Sequence, residues 1–224
     1  TLHSSAALLS GNTVVCKPSK FTPGVGQRVA ETWDRCRLPR GVFNLVQGSG
    51  SSTGMKIATH PNLDALLFAG SYATAVQVRR ATFERPELPM LFQTGGKGCA
   101  IVTDGCDLDR AVYETLVGAF LTAGQRHNST GRAIVTEGAF DAFVQQLGRR
   151  ASAVNVGYAF DRDTFFGPLI SDNNRHRYRR YAKALLSKGH TAILEGGNCD
   201  VKGRKGFYVN PAIYWVNWEN GQPF

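Results

Sequence analysis

The sequence has no apolar run approaching the ~18 residues that a membrane-spanning helix needs. It also lacks the basic-then-apolar opening of a secretory signal; it begins Thr-Leu-His-Ser-Ser and reads as processed or cut from something longer. Its five cysteines (Cys16, Cys36, Cys99, Cys106 and Cys199) are odd in number, and no two stand at the spacing of zinc or redox motifs. They read as free thiols in a reducing compartment, cytoplasm or mitochondrial matrix, and no metal site is expected. Internal repeats and low-complexity stretches are absent, which argues against a solenoid or a disordered chain. Acidic residues are the scarce charge: 17 Asp and Glu stand against 26 Lys and Arg, leaving a net charge of +9. That surplus suits an anionic neighbour such as RNA, phospholipid or an acidic protein, or else a solvated basic surface; no RNA-binding motif accompanies it.

What is present fits a globular chain. With 224 residues and 42% hydrophobic content it can bury one large core or two small ones. Thr13 to Cys16 reads as a buried strand. A helix should start with Thr22 as N-cap and Pro23 at its first position. Val25, Val29 and Trp33 then share one face, and Leu38-Pro39 ends it. Val42 to Val46 is the next strand, and Gly48 to Gly54 a flexible turn into a short helix. Asp64 to Phe68 is a strand, followed by a helix to about Phe83. After Leu91 the pattern restarts, with strands at Cys99 to Val102 and Arg132 to Val135. Helices should run from Leu108 to Ala123 and from Glu137 to Ala151, the latter with Phe140, Phe143, Val144 and Leu147 on one side. A loop from Gly157 to Ser171 leads to a basic helix, Asp172 to Ser187, and a strand, Thr191 to Leu194. Gly206 to Trp218 should be extended. Strands and helices alternating in this way predict an α/β fold of two consecutive units, residues 1–94 and 95–224, with largely parallel sheets flanked by helices.

Six blocks, in order, resemble the aldehyde dehydrogenase superfamily. They are Gly11-Asn12-Thr13-Val14-Val15-Cys16-Lys17-Pro18-Ser19, Leu38 to Gly48, Phe68-Ala69-Gly70-Ser71, Gly95-Gly96-Lys97, Thr122-Ala123-Gly124-Gln125-Arg126, and Phe166-Gly167-Pro168-Leu169-Ile170-Ser171. Within that superfamily the Ala-Gly-Gln-Arg wording and Leu66-Leu67-Phe68 look most like succinylglutamate semialdehyde dehydrogenases. The resemblance implies a partial aldehyde dehydrogenase fold, with a dinucleotide-binding part before a catalytic part. The family's oxyanion-hole asparagine and its ribose-contacting glutamate would fall outside the 224 residues.

The same resemblance exposes two losses. The family's chemistry uses a cysteine thiolate, far more nucleophilic at neutral pH than a hydroxyl, to attack the aldehyde. At that position stands His127, followed by Asn128, Ser129 and Thr130, with no cysteine between Gly124 and Arg132. The family's general-base glutamate, two residues before Gly-Gly-Lys, is Gln93 here, and a carboxamide does not accept a proton near neutral pH. No catalytic residue is therefore expected.

For a cofactor, Lys17 sits where the family's lysine meets the adenosine ribose, and Gly70-Ser71 where the chain approaches the pyrophosphate. Lys20 replaces the acidic residue that holds the ribose hydroxyls, so NADP is favoured over NAD if either binds, and none is required. The glycine expected four residues after Ser71 is absent. Separately, Arg175, Arg179 and Lys183 form a stripe at helical spacing, with Tyr178, Tyr181 and Leu185 toward the core. That stripe is a solvated face or a contact for RNA or an acidic protein. These features point to a non-catalytic relative acting as a structural subunit among protein partners in a larger complex. The alternatives are a fragment of an NAD(P)-dependent semialdehyde dehydrogenase and an NADP-binding regulatory module.

Overall fold

A computed structural model describes residues 2–216, so Asn217 and Trp218 of the expected terminal extended segment lie outside the described residues. The chain forms two compact units, Thr1–Gly95 and Gly96–Phe224. The first contains α1 (Leu2–Leu9), β1 (Val14–Cys16), α2 (Pro23–Arg35), β2 (Phe43–Leu45), a π-helical turn (Gly50–Gly54) running into α3 (Met55–Ala58), β3 (Leu66–Gly70), α4 (Tyr72–Ala81) and β4 (Met90–Thr94). The second contains β5 (Gly98–Val102), α5 (Leu108–Phe120), β6 (Thr130–Val135), α6 (Glu137–Ser152), α7 (Asp172–Ser187), β7 (Thr191–Leu194), β8 (Gly197–Asn198), β9 (Val209–Asn210) and β10 (Ile213–Trp215).

β1 pairs with β2, β3 with β4 and β5 with β6, each time in parallel and each time across one helix. Parallel neighbours cannot be joined by a tight hairpin, so the intervening helices α2, α4 and α5 follow from the pairing. The closing strands are antiparallel, β7 with β10 and β8 with β9. The α/β architecture with mainly parallel sheets is the one expected from the alternating pattern.

Thr22 is the N-cap of α2 and Pro23 its first residue, as expected, although Thr22 makes no side-chain capping bond. Other local expectations are corrected. Val25 is 63% exposed. The buried position on α2 is Gly26, where a Cβ would stand 2.5 Å from Pro18 Cγ, so the helix approaches β1 through a residue without a side chain. Residues 50–54 are helical, begun by Ser49, whose Oγ accepts from Ser52 N. α5 stops at Phe120, because Thr122 and Ala123 adopt φ of 61° and 53°. Left-handed residues cannot continue a right-handed helix. α1 and β4 were not anticipated. The short run at 90–94 carries no clear period, and its strand state comes from register pairing with β3, Leu66 opposite Met90 through Gly70 opposite Thr94.

The core of the second unit joins Val102, Val112, Leu116, Ala139, Phe143, Leu147 and Ala151. On α6 the buried row is Ala139, Phe143, Leu147 and Ala151, spaced four apart along one face. Phe140 lies off that row and packs instead against Trp215, ring centroids 5.5 Å apart. On the opposite face of β5 and β6, Ile101 is 72% and its register partner Ile134 57% exposed, beside the exposed pair Cys99 and Arg132.

Candidate functional site

In parallel sheets the carboxyl ends of the strands and the loops leaving them form the binding edge. Most of the residues singled out from sequence lie there. Lys17 directly follows β1; its Nζ donates to Pro18 O at 2.7 Å, and its stem lies against Gly54, where a Cβ would stand 3.2 Å from Lys17 Cε. The Ser49-capped turn leaving β2 is therefore brought beside Lys17, and Val46 N donates to Cys16 O at 2.9 Å to hold the two strand ends together. Lys20 is exposed, its ammonium 5.1 Å from the centre of the Phe21 ring.

At the end of β3, Gly70 leaves no room for a side chain: a Cβ would meet the Phe68 ring at 2.6 Å. Ser71 caps α4, its Oγ accepting from Thr74 N at 3.2 Å. The position where a glycine was expected, Ala75, is buried in the helix face, so its methyl packs inward. Gln93, half-buried, lies on β4 opposite Ala69, one register step from Gly70.

In the second unit the loop after α5 holds His127. Thr122, Ala123 and Gly124 all have positive φ. Arg126 and Ser129 close a turn: Ser129 N donates to Arg126 O at 3.3 Å, and Ser129 Oγ accepts from Arg126 N at 3.3 Å. His127 and Asn128 stand at its exposed tip, and His127 O accepts from Gly96 N at 3.3 Å. Gln125, read from sequence only as part of a motif, is the clamp of this loop. Its Nε2 donates to Thr122 O at 3.2 Å and Pro168 O at 3.3 Å, and its Oε1 accepts from Ile170 N at 2.9 Å. Two of the six sequence blocks are thus tied together by one carboxamide. Ser49 was also missed; the signal available was a serine three residues before Ser52, ahead of the α3 pattern.

No cysteine stands on the 121–129 loop. Cys16 ends β1, Cys36 caps α2, Cys99 lies on β5, and Cys106 precedes α5. Cys199 follows β8, and burial, aided by Asp200, pushes its thiol up, away from thiolate character. Among the described residues no His, Cys, Asp and Glu group could hold a metal ion. A shallow depression bordered by Trp33, Arg40 and Phe43 lies at the amino end of β2, away from the binding edge.

The basic helix departs from expectation at one residue of its stripe. Arg175 is turned onto its own chain: its guanidinium pairs with Asp172 Oδ1 at 2.6 Å and stacks 5.4 Å from the Phe207 ring centre. Tyr178 faces inward, donating to Asn210 O at 2.8 Å, whereas Tyr181 is 50% exposed.

Residues 1–220 match the Aldehyde dehydrogenase family. The N-succinylglutamate 5-semialdehyde dehydrogenase of Burkholderia mallei (strain SAVP1) is 38% identical over 195 residues, 86% of this chain and 40% of that protein. Its counterpart from Salmonella paratyphi A is 42% identical over 171 residues, 75% of this chain and 35% of that protein. Lactaldehyde dehydrogenase from Escherichia coli superposes with a TM-score of 0.87 at 33% identity, covering 94% of this chain and 44% of that one. PnpE in complex with nicotinamide adenine dinucleotide gives 0.84 at 30% identity, covering 91% of this chain and 42% of that one. The chain spans 35–40% of the length of these curated relatives. From sequence blocks, parallel crossovers and the match over residues 1–220 together, the chain belongs to the aldehyde dehydrogenase family.

Proposed function

We propose that this chain is a non-catalytic aldehyde dehydrogenase-like protein serving as a structural subunit of a larger assembly. The observation that carries the reading is His127. The loop around it is held in a defined shape by Gln125, yet it offers an imidazole where the family's chemistry needs a thiolate. Thiolate attack gives a hemithioacetal that can release hydride and leave an acyl thioester for water; an imidazole adduct is a different intermediate. Gln93 supports the same reading from the other half of the reaction, because it cannot take the proton from the hydrolytic water. The free thiols suit a reducing compartment, and the bacterial origin of the named relatives favours cytoplasm over mitochondrial matrix.

The test is native sedimentation of the protein from its source with mass spectrometry of the fractions, alongside an assay with a semialdehyde and either NAD or NADP. The expected result is migration within a large particle and no reduced cofactor. Reduced cofactor formed by the unaltered chain, or migration as a small free species, overturns the reading.

A second reading, an NADP-binding regulatory module, is favoured by the contact of Lys17 with Gly54. The missing Cβ lets the Lys17 stem lie beside the Ser49-capped turn, and Lys17 and Ser71 could hold the ribose and pyrophosphate of a dinucleotide. Lys20 suits a 2′-phosphate and not free ribose hydroxyls. A bound dinucleotide would supply a hydride acceptor, for which this chain presents no thiolate partner at residue 127. Calorimetric titration with NADP and NAD separates this reading: saturation without turnover supports it, and no heat with either ligand rejects it.

A further inference from the structure

Tyr181 of α7 meets the segment that leads into β5. Its ring, half exposed on α7, has Lys97 Nζ 5.6 Å from its centre. Lys97 is held for this contact from two directions. Its carbonyl accepts from Arg132 Nη2 at 2.8 Å, and its stem crosses Gly131, where a Cβ would stand 3.6 Å from Lys97 Cδ. Arg132 lies on β6, and its guanidinium is held at the backbone of Lys97, which immediately precedes β5. Arg177 stands one turn before Tyr181 on the same row of α7.

The orientation of α7 decides which of its cations are available. Arg175 is turned inward onto Asp172 and Phe207, and Tyr178 is anchored to Asn210 O and Gly197 N. Asp172 is the helix's only acid, and Arg175 and His176 already engage it. Arg177, Arg179, Arg180 and Lys183 make no ion pair with a described residue. The exposed ring is therefore bordered by positive charge with no acid on its own helix left to neutralise it.

We propose that this surface binds single-stranded nucleic acid, with Lys97, Arg132 and Arg177 on phosphates and an unpaired base against Tyr181. Cations alone would serve an acidic peptide equally well, but an exposed aromatic ring among them is what an unpaired base stacks on. The inference is independent of catalysis at residue 127, and it moves the contact from the Arg175–Arg179–Lys183 stripe to the neighbouring face of the helix.

The experiment is fluorescence anisotropy of a labelled oligouridylate of about twelve nucleotides titrated with the full chain over a range of salt concentrations. The expected result is saturable binding that weakens with salt, with a log–log slope of about −2 for three phosphates on a single strand. Arg177→Glu should weaken binding roughly tenfold and Tyr181→Ala at least roughly fivefold, both with unchanged thermal unfolding. Tyr181→Phe, which keeps the stacking face, should bind like the unaltered chain, as should Arg28→Glu in the first unit. Unchanged affinity in both Arg177→Glu and Tyr181→Ala overturns the proposal. So does equal or tighter binding of a labelled polyglutamate peptide or of phosphatidylserine vesicles.

Discussion

The backbone amide of Ile170 donates to Gln125 Oε1 at 2.9 Å, across 45 residues of chain. The same side chain donates to Thr122 O and Pro168 O, so it joins the left-handed loop before His127 to the Phe166–Ser171 segment. Gln125→Leu removes all three bonds while keeping the volume. At about 0.5–1 kcal/mol for each exposed bond, the loss of three should total about 1.5–3 kcal/mol. Hydrogen exchange checks it directly: the Ile170 amide should exchange roughly tenfold faster, while amides of α6 stay as slow as before. An unchanged Ile170 amide would mean that the loop is held by something else.

Phe143 and Phe140 offer a matched pair on one helix. Phe143 is 1% exposed at the centre of the second unit's core, and Phe140 is half-buried against Trp215. Phe143→Ala should cost about 3–5 kcal/mol, with most of the loss from the cavity and the removed contacts. Phe140→Ala should cost about half as much, since part of its surface already meets solvent. Urea unfolding followed by circular dichroism gives both values, and equal losses would contradict the buried row assigned to α6.

Gly54 should tolerate a side chain only by displacing Lys17, because a Cβ there would lie 3.2 Å from Lys17 Cε. If NADP binds at this edge, Gly54→Val should weaken it about tenfold by moving that lysine, at little cost to the fold. Lys20→Glu should reverse any preference for NADP over NAD by repelling the 2′-phosphate and accepting from the free hydroxyls. Calorimetry with both nucleotides measures each effect, and identical affinities before and after Lys20→Glu would remove Lys20 from the site.

Tyr178 makes alkaline stability a test of α7 docking. Burial holds its phenol above the ordinary value of about 10, only partly opposed by the hydrogen bond from Gly197 N. Above that value the unfolded chain loses the proton while the folded chain keeps it. The stability present in full below about pH 10 is therefore lost as pH rises through the raised folded value. Tyr178→Phe should lower stability near neutrality by about 1–2 kcal/mol through the lost bond to Asn210 O. It should also flatten the decline above pH 10, read by urea midpoints at intervals from neutrality upward.

The strand–helix–strand pattern was legible because each crossover carries its own local signals. Val14 to Cys16 and Cys99 to Val102 are short apolar runs, and Phe43 to Leu45 alternates apolar and polar, beside helical periods. β4 was not legible, since Met90 to Thr94 has no alternation and its state depends on β3, more than twenty residues earlier. The period put Val25 on one row with Val29 and Trp33, but the close approach to Pro18 is made at Gly26, and Val25 stays exposed. The end of α5 was overrun because nothing in Leu121-Thr122-Ala123 announces left-handed backbone; Gly124 alone does.

By itself the sequence determined the α/β class, the family resemblance and the identities of His127 and Gln93, because these rest on periodicity and residue type, which are local properties. Only the tertiary structure decided where long side chains go. It turned Arg175 onto Asp172 and Phe207, set Lys97 over Tyr181, laid Lys17 on Gly54 and closed Gln125 onto Ile170. Each of those contacts except the Arg175–Asp172 pair joins residues many positions apart. Their geometry follows from how strands and helices pack, which no short window of sequence contains.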